Sequence, residues 1–311
     1  MNSPVSKSAP AAPPVALVTG ASGGLGAAMA RALARREWHV FATSRSARSG
    51  TGGGLVDEHV EPLFMDVTQE SSIRAALARV SECGLGIDLL INNAGINVSG
   101  VVEEMPKEQG RAIMDTNFYG VVDTIRAVLP LMRARRRGTI LTIGSLAAFV
   151  APPGEAYYAA AKSALEGFLE SFQYEATPFG VRVCLAEPGF IRTNLARGAV
   201  DISATCADYD KVRAQHSGQT AKPLLTIEEA RRTCRAFIRL EVRMLPEHQI
   251  LHERNLPCHS ASACRCRIRR RSRLRAPSPI PMIILTYRRG SGWARSGAVG
   301  VSTCRHRGRP S

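Results

Sequence analysis

Val15-Ala16-Leu17-Val18-Thr19-Gly20-Ala21-Ser22-Gly23-Gly24-Leu25-Gly26 is the stretch that decides the fold. Its first four residues form a short apolar run, suited to a strand buried on both faces as parallel strands are. The glycines that follow let backbone approach a ligand closely, and an Ala-rich segment running to about Arg36 then has helical composition. Strand, glycine turn and helix in that order make a phosphate site. The helix N-terminus supplies unpaired N–H groups and the positive end of its dipole. The spacing is T-G-x-x-x-G-x-G, and Gly20, Ser22, Gly24, Leu25 and Gly26 are the turn positions expected against a dinucleotide.

Downstream, Trp38 to Thr43 reads as a second strand. In a doubly wound fold its end meets the adenosine ribose, where an acidic residue would bind the 2′-hydroxyl of NAD. Ser44-Arg45-Ser46 and Arg48 stand there instead, and an arginine suits a 2′-phosphate. Arg45 therefore makes NADP(H) the expected cofactor ahead of NAD(H). Val60 to Met65 leads into Asp66-Val67 and a helix over 70–82, and Ile87 to Ile91 is a fourth strand ending in Asn92-Asn93-Ala94-Gly95. Repeated strand–helix alternation is the pattern of an α/β fold, a Rossmann-like doubly wound parallel sheet in three α/β/α layers. Asp66 is read as an acceptor for the adenine amine, with capping of the following helix as the alternative.

Further along stands Tyr158-Ala159-Ala160-Ala161-Lys162. Residues four apart share one face of a helix, so the phenol and the ammonium are neighbours. A free tyrosine stays protonated at neutral pH, and an adjacent cation is expected to pull its pKa down toward working pH. Such a pair becomes informative beside a hydride carrier and a second hydrogen-bond donor.

Taken in order, T-G-A-S-G-G-L-G, Asp66-Val67, Asn92-Asn93-Ala94-Gly95, Asn117, Ser145, Tyr158-Ala159-Ala160-Ala161-Lys162 and Pro188-Gly189 with Thr193 resemble the short-chain dehydrogenase/reductase family. Asn117 lies 25 residues after Asn92, and Ser145 13 residues before Tyr158. The resemblance covers about residues 14–200. It implies hydride exchange between a nicotinamide and a carbonyl or alcohol carbon. Tyr158 would be the general acid/base, Lys162 its pKa-lowering partner and ribose contact, and Ser145 the donor to the substrate oxygen. Asn117 would kink its helix and hold a water linking Lys162 to solvent. Val67, Asn93, Ala94, Gly95, Pro188, Gly189, Ile191 and Thr193 would line the cofactor. Apolar residues after the serine (Leu146 to Pro153) and after Gly95 (Val98, Val101, Val102) suggest a small apolar ketone or secondary alcohol as substrate. By the same resemblance, the helices carrying Val121, Val122, Ile125, Val128 and Leu165, Phe168, Leu169, Phe172 would pair across a homodimer or homotetramer interface.

The net charge of +15 is unevenly placed. Residues 254–311 carry 14 Arg, no Lys and no acid, whereas residues 1–200 carry 19 Lys+Arg against 18 Asp+Glu. The charge therefore belongs to a tail rather than to the fold. That tail reads as a nucleic-acid arm, a metal site or out-of-frame sequence; the last accounts best for arginine without lysine among Pro, Ser, Gly and Cys. Nucleic acid is not the expected partner, although an impaired nucleotide-binding protein with a basic arm is the alternative to an enzyme. No metal site is expected, since C-x-C without a second nearby pair lacks metal-ligand spacing. Scattered cysteines suit a reducing compartment, and no apolar run is long enough to span a membrane, so a cytoplasmic location is expected. The expected layout is a disordered segment over 1–14, a catalytic domain over 15–250, and an Arg-rich tail over 251–311 that is disordered or out of frame. Met282 to Tyr287 is the one strand-like run beyond 250, a substitute seventh strand or chance.

Overall fold

The computed structural model describes residues 12–49, 58–84, 86–189, 195, 200–201, 206–214 and 282–285. Val15–Val18 (β1) is buried along its whole length, as its apolar run requires. It runs into helix α1, Gly24–Ala34. Strands β2 (His39–Ser44) and β3 (Val60–Phe64) follow, then helix α2 (Glu70–Glu82) and strand β4 (Leu89–Asn92). A two-residue strand β5 (Val98–Ser99) precedes helix α3 (Lys107–Met114). A single π-helical turn, Asp115–Tyr119, joins α3 to α4 (Gly120–Ala134). Strand β6 (Gly138–Ile143), the short helix α5 (Ala147–Val150), helix α6 (Ala156–Ala176) and strand β7 (Val181–Pro188) complete the main run. Val200–Asp201 (β8) pairs with β5, and Met282–Leu285 is β9.

The main sheet has the order β3-β2-β1-β4-β6-β7-β9, with every pairing parallel. The chain winds outward from β1 to β3, returns to place β4 beside β1, and winds out the other way. The seam between β1 and β4 is thus the point where winding reverses, the place where open α/β sheets bind ligands. One apolar cluster fills the α1 face and a second fills the face covered by α2, α4 and α6. β9 is the seventh strand, paired from Leu185↔Met282 to Pro188↔Leu285.

On the two helices expected to pair between subunits, Val121, Ile125, Val128, Leu165, Leu169 and Phe172 lie inside the chain's own core against the sheet. A helix that covers a sheet spends its apolar stripe there first. At the end of α4, Arg135 and Arg137 pair with Asp88 at 2.8 and 2.6 Å, and the Val15 N–H donates to the same carboxylate at 2.9 Å. That carboxylate ties the end of α4 to the start of β1.

Segment 206–214 is held down by acids just after β5. The Arg213 guanidinium pairs with Glu104 at 2.7 Å, the Cys206 N–H donates to Glu104 at 2.7 Å, and the Tyr209 hydroxyl donates to Glu103. The Glu104 side chain is only 4% exposed, so its charge depends on these partners. Replacing it by alanine should free this segment, and tryptic cleavage after Arg213 should become several-fold faster. An unchanged cleavage rate would show that the clamp holds nothing.

Candidate active site

The glycine turn is held from behind by β4. The Thr19 hydroxyl accepts from the N–H groups of Asn93 and Ala94, both at 2.9 Å, and the Asn93 amide donates to the carbonyls of Thr19 at 2.9 Å and Gly20 at 3.1 Å. Gly20 has φ +65°, and a Cβ there would lie 2.7 Å from the Ala94 backbone. Only glycine fits between the two loops. Leu25 and Gly26 are buried behind the turn, whereas Ser22 is exposed and Gly24 partly so. Gly23 caps α1 without a side-chain hydrogen bond, and the first turn of the helix contains no acid. The leading N–H groups therefore suit an anion, which is the fit a dinucleotide pyrophosphate requires.

Arg45 stands exposed directly after β2, on the carboxyl edge of the sheet. Asp66 spends one oxygen on the Thr68 N–H at 3.0 Å and the Thr68 hydroxyl at 2.7 Å, while α2 begins with an unassisted Gln69 cap. Asp66 is thus a turn former ahead of the helix rather than its cap. Val67 is buried and packs on Gly120, whose added Cβ would meet it at 2.8 Å. Asn117 occupies the middle of the π turn, fully buried. Its amide donates to the Ile96 carbonyl and its oxygen accepts from the Ile96 N–H, both at 2.8 Å. The expected helix distortion is present, and the Asn117 side chain fastens the chain after Gly95 to it.

Ser145, Tyr158 and Lys162 converge at the carboxyl ends of β6 and β4. Ser145 lies just beyond β6, its oxygen accepting from the Ala147 N–H at 3.1 Å. Its turn rests on the end of β7, since the Gly144 N–H donates to Ala186 at 2.7 Å and the Leu146 N–H to Pro188 at 3.1 Å. Tyr158 and Lys162 are both buried on α6. Lys162 donates to the Ile143 carbonyl at 2.8 Å and lies 5.7 Å from the centre of the Tyr158 ring. The expected lowering of the phenol pKa by the lysine is not found. Burial pushes the Tyr158 phenol up to about 12; a hydrogen bond with Ser145 pulls it back and the Glu155 charge pushes it further up. Burial also lowers the Lys162 ammonium to about 8. Desolvation outweighs proximity because the ammonium bonds a backbone carbonyl rather than the phenol oxygen.

Pro188 and Gly189 lie at the end of β7 beside this turn. Ile191, Thr193, the Arg48 side chain and the basic tail other than 282–285 lie outside the described residues. Sequence reading missed Thr19 and Asn93 as the clasp between loops; the threonine ending a strand before the glycines was the available signal. It also missed Glu187, one residue before Pro188. This side chain is fully buried and faces the Glu166 carboxyl. Burial, then a hydrogen bond with the Glu166 carboxyl on α6 and its charge, push its pKa up to about 8.

A model of the short chain dehydrogenase family matches residues 14–202. The 3-ketodihydrosphingosine reductase of Bacteroides thetaiotaomicron is 38% identical over 200 residues, covering 63% of this chain and 72% of that protein. The 3-oxoacyl-(acyl-carrier-protein) reductase FabG of Escherichia coli is 36% identical over 191 residues, covering 60% of this chain and 77% of its own. A crystal structure of a short-chain dehydrogenase from Streptomyces avermitilis superposes with a TM-score of 0.63 at 29% identity, over 76% of this chain and 86% of the other. The chain belongs to the short-chain dehydrogenases, as an NAD(P)-dependent oxidoreductase. No helix among the described residues is long and apolar enough to cross a membrane.

Glu187 makes stability depend on pH. Its folded pKa of about 8 lies above the ordinary 4.5, so the stability it allows is full below pH 4.5 and is lost as pH rises toward 8. Glu187→Gln keeps the shape without the charge. Its melting temperature should gain on the parent between pH 5 and pH 8, by about 4–8 °C for a difference on the order of 2 kcal/mol. A pH-independent difference in thermal melts would refute the charged pair.

Proposed function

We propose that this protein is an NADP(H)-dependent ketone reductase and alcohol dehydrogenase in which Tyr158 is the general acid/base. The observation that carries the reading is the convergence of a buried phenol, a hydroxyl and a buried ammonium on the sheet edge that also holds an uncapped glycine turn. When bound, the nicotinamide supplies a hydride to the carbonyl carbon or takes one from the alcohol carbon.

The residues do the rest. Ser145 donates toward the carbonyl oxygen, where negative charge develops. Tyr158 transfers its proton to that oxygen as the carbon is reduced, and Lys162 faces the phenolate that forms with a cation. A phenol held near 12 is fully protonated at neutral pH, which suits it to the acid role in reduction. The glycine turn (Gly20, Ser22, Gly24, Leu25, Gly26) and the α1 N-terminus would hold the pyrophosphate. Asn93, Ala94, Gly95, Val67 and Asp66 would flank the nucleoside, and Pro188, Gly189, Ile191 and Thr193 the nicotinamide side. Asn117 would act at a distance, by fixing the π turn behind Lys162. The names of the two reductases above support the carbonyl-reducing direction.

Arg45 supports NADP(H) over NAD(H), since it takes the place an acid would occupy. Val102, after β5, and Phe149 and Val150, on α5 after Ser145, are exposed apolar side chains, which supports an apolar ketone or secondary alcohol. Tyr119 and Leu131 by α4 and Tyr174 on α6 stay exposed on the outer helical layer, and we place a homo-oligomer contact there; a monomeric mass in light scattering would refute it. A cytoplasmic site of action accords with the NADP(H) reading.

Two substitutions test the assignment. Tyr158→Phe should lower ketone reduction on the order of 100-fold or more while NADPH still binds, read by its fluorescence. Substantial residual turnover would remove Tyr158 from the role. Arg45→Ala should raise the KM for NADPH about 10-fold and leave that for NADH unchanged. Equal effects on both cofactors would refute the 2′-phosphate contact.

A further inference from the structure

Glu155 stands at the entry to α6, three residues before Tyr158. The Ala159 N–H donates to the Glu155 carbonyl at 2.8 Å, which closes the first helical turn and sets the carboxylate and the phenol one turn apart. The residue is only 6% exposed, yet its side chain makes no capping hydrogen bond to the helix it opens. Among the described residues its side-chain donor is the Asn97 amide rather than a cation. A carboxylate buried without a counter-ion costs free energy, and helix formation does not account for it here.

The carboxylate is also pinned in place. The Asn97 amide donates to Glu155 Oε1 at 3.1 Å, and the Gly100 N–H donates to the Gly154 carbonyl at 2.9 Å. Val98, next to Asn97, packs in the apolar cluster that contains Tyr158. The segment that holds the carboxylate is therefore fixed against the surroundings of the phenol itself. Few other polar groups face that phenol. Ser145 reaches it from the turn after β6, and Lys162 on α6 lies 5.7 Å from its ring centre but donates to Ile143. Tyr157 packs against the same cluster, and the residues that α3 and β5 contribute there, Ile113 and Val98, are apolar. Burial favours the neutral phenol most, the Ser145 hydrogen bond opposes it, and the Glu155 charge favours it again.

We infer that Glu155 is a positioning residue of the reaction: anchored by Asn97, its negative charge holds Tyr158 as a neutral phenol, the form that delivers a proton to a ketone. The inference rests on Tyr158 being the general acid/base proposed above. In reduction the ketone carbon gains the nicotinamide's hydride and its oxygen gains the phenol's proton. In oxidation both leave the alcohol, and Tyr158 must start as the phenolate. A fixed negative charge one turn away thus widens the pH range of reduction and narrows that of oxidation.

The test uses the full-length protein and two substitutions. Glu155→Gln keeps the shape and an acceptor for Asn97 but removes the charge, whereas Glu155→Asp keeps the charge. The ratio kcat/KM is followed against pH for methyl hexyl ketone with NADPH and for the corresponding alcohol with NADP+. Removing the charge lowers the pKa of the phenol, so in Glu155→Gln the fall of reduction and the rise of oxidation should both move to lower pH. Oxidation near pH 8 should then run at least about 3-fold above the parent, the effect of about half a pKa unit. Glu155→Asp should keep the parent's profile. Three results overturn the inference: an unchanged profile in Glu155→Gln, a loss by one factor at every pH in both directions, or equal shifts in the two variants. Absence of turnover in both directions counts against the ketone-reductase reading instead. Fluorine NMR of protein carrying fluorotyrosine then decides, with the Tyr158 resonance assigned by its loss in Tyr158→Phe. A lower titration midpoint in Glu155→Gln than in the parent supports the charge effect, and equal midpoints refute it.

Discussion

The contact on which the site depends is the clasp between β1 and β4. One hydroxyl, Thr19, takes two N–H groups from the loop after β4, and one amide, Asn93, returns two hydrogen bonds to the carbonyls of the glycine turn. The chain reverses its winding at this seam, so no continuous strand or helix holds the two loops together. Side-chain hydrogen bonds do so instead, and they set the separation between the glycine turn and the Asn93-Ala94-Gly95 loop. Gly20 is compatible with that separation because a Cβ would collide with Ala94.

From the clasp, order is passed along by similar short links. Asn117 uses a π turn to grip Ile96, which sets the course of the chain toward β5. The end of β7 carries the Ser145 turn through two backbone hydrogen bonds. Lys162 reaches across to the last residue of β6. Each link is local, but its partners are far apart in sequence, so the site assembles only when the whole parallel sheet has formed.

Burial sets the electrostatics of the site more than charge pairing does. Tyr158, Lys162 and Glu187 are all shifted toward their neutral forms, with desolvation the largest cause in each case. The Y-x-x-x-K spacing correctly placed the phenol and ammonium on one helix face. It could not reveal that the ammonium would bond Ile143, because that carbonyl lies 19 residues earlier and is brought near by β6. A similar limit applies to the apolar faces of α4 and α6. An apolar stripe shows that a helix must be covered but not by what, and here the sheet is the cover.

Sequence alone determined the parallel α/β class, the glycine turn and the identity of Asn117, Ser145, Tyr158 and Lys162 as the residues to examine. The class, the turn and the Tyr158–Lys162 pair depend on local chemistry: apolar runs of strand length, glycines at a strand end, and side chains one helical turn apart, whereas Asn117 and Ser145 were marked by the family resemblance. The tertiary structure decided the partnership of Thr19 with Asn93, the carboxyl pair of Glu187 and Glu166, and the placement of residues 282–285 beside β7. Each of these depends on groups distant in the chain, and their hydrogen bonds and burial exist only once the sheet has brought them together.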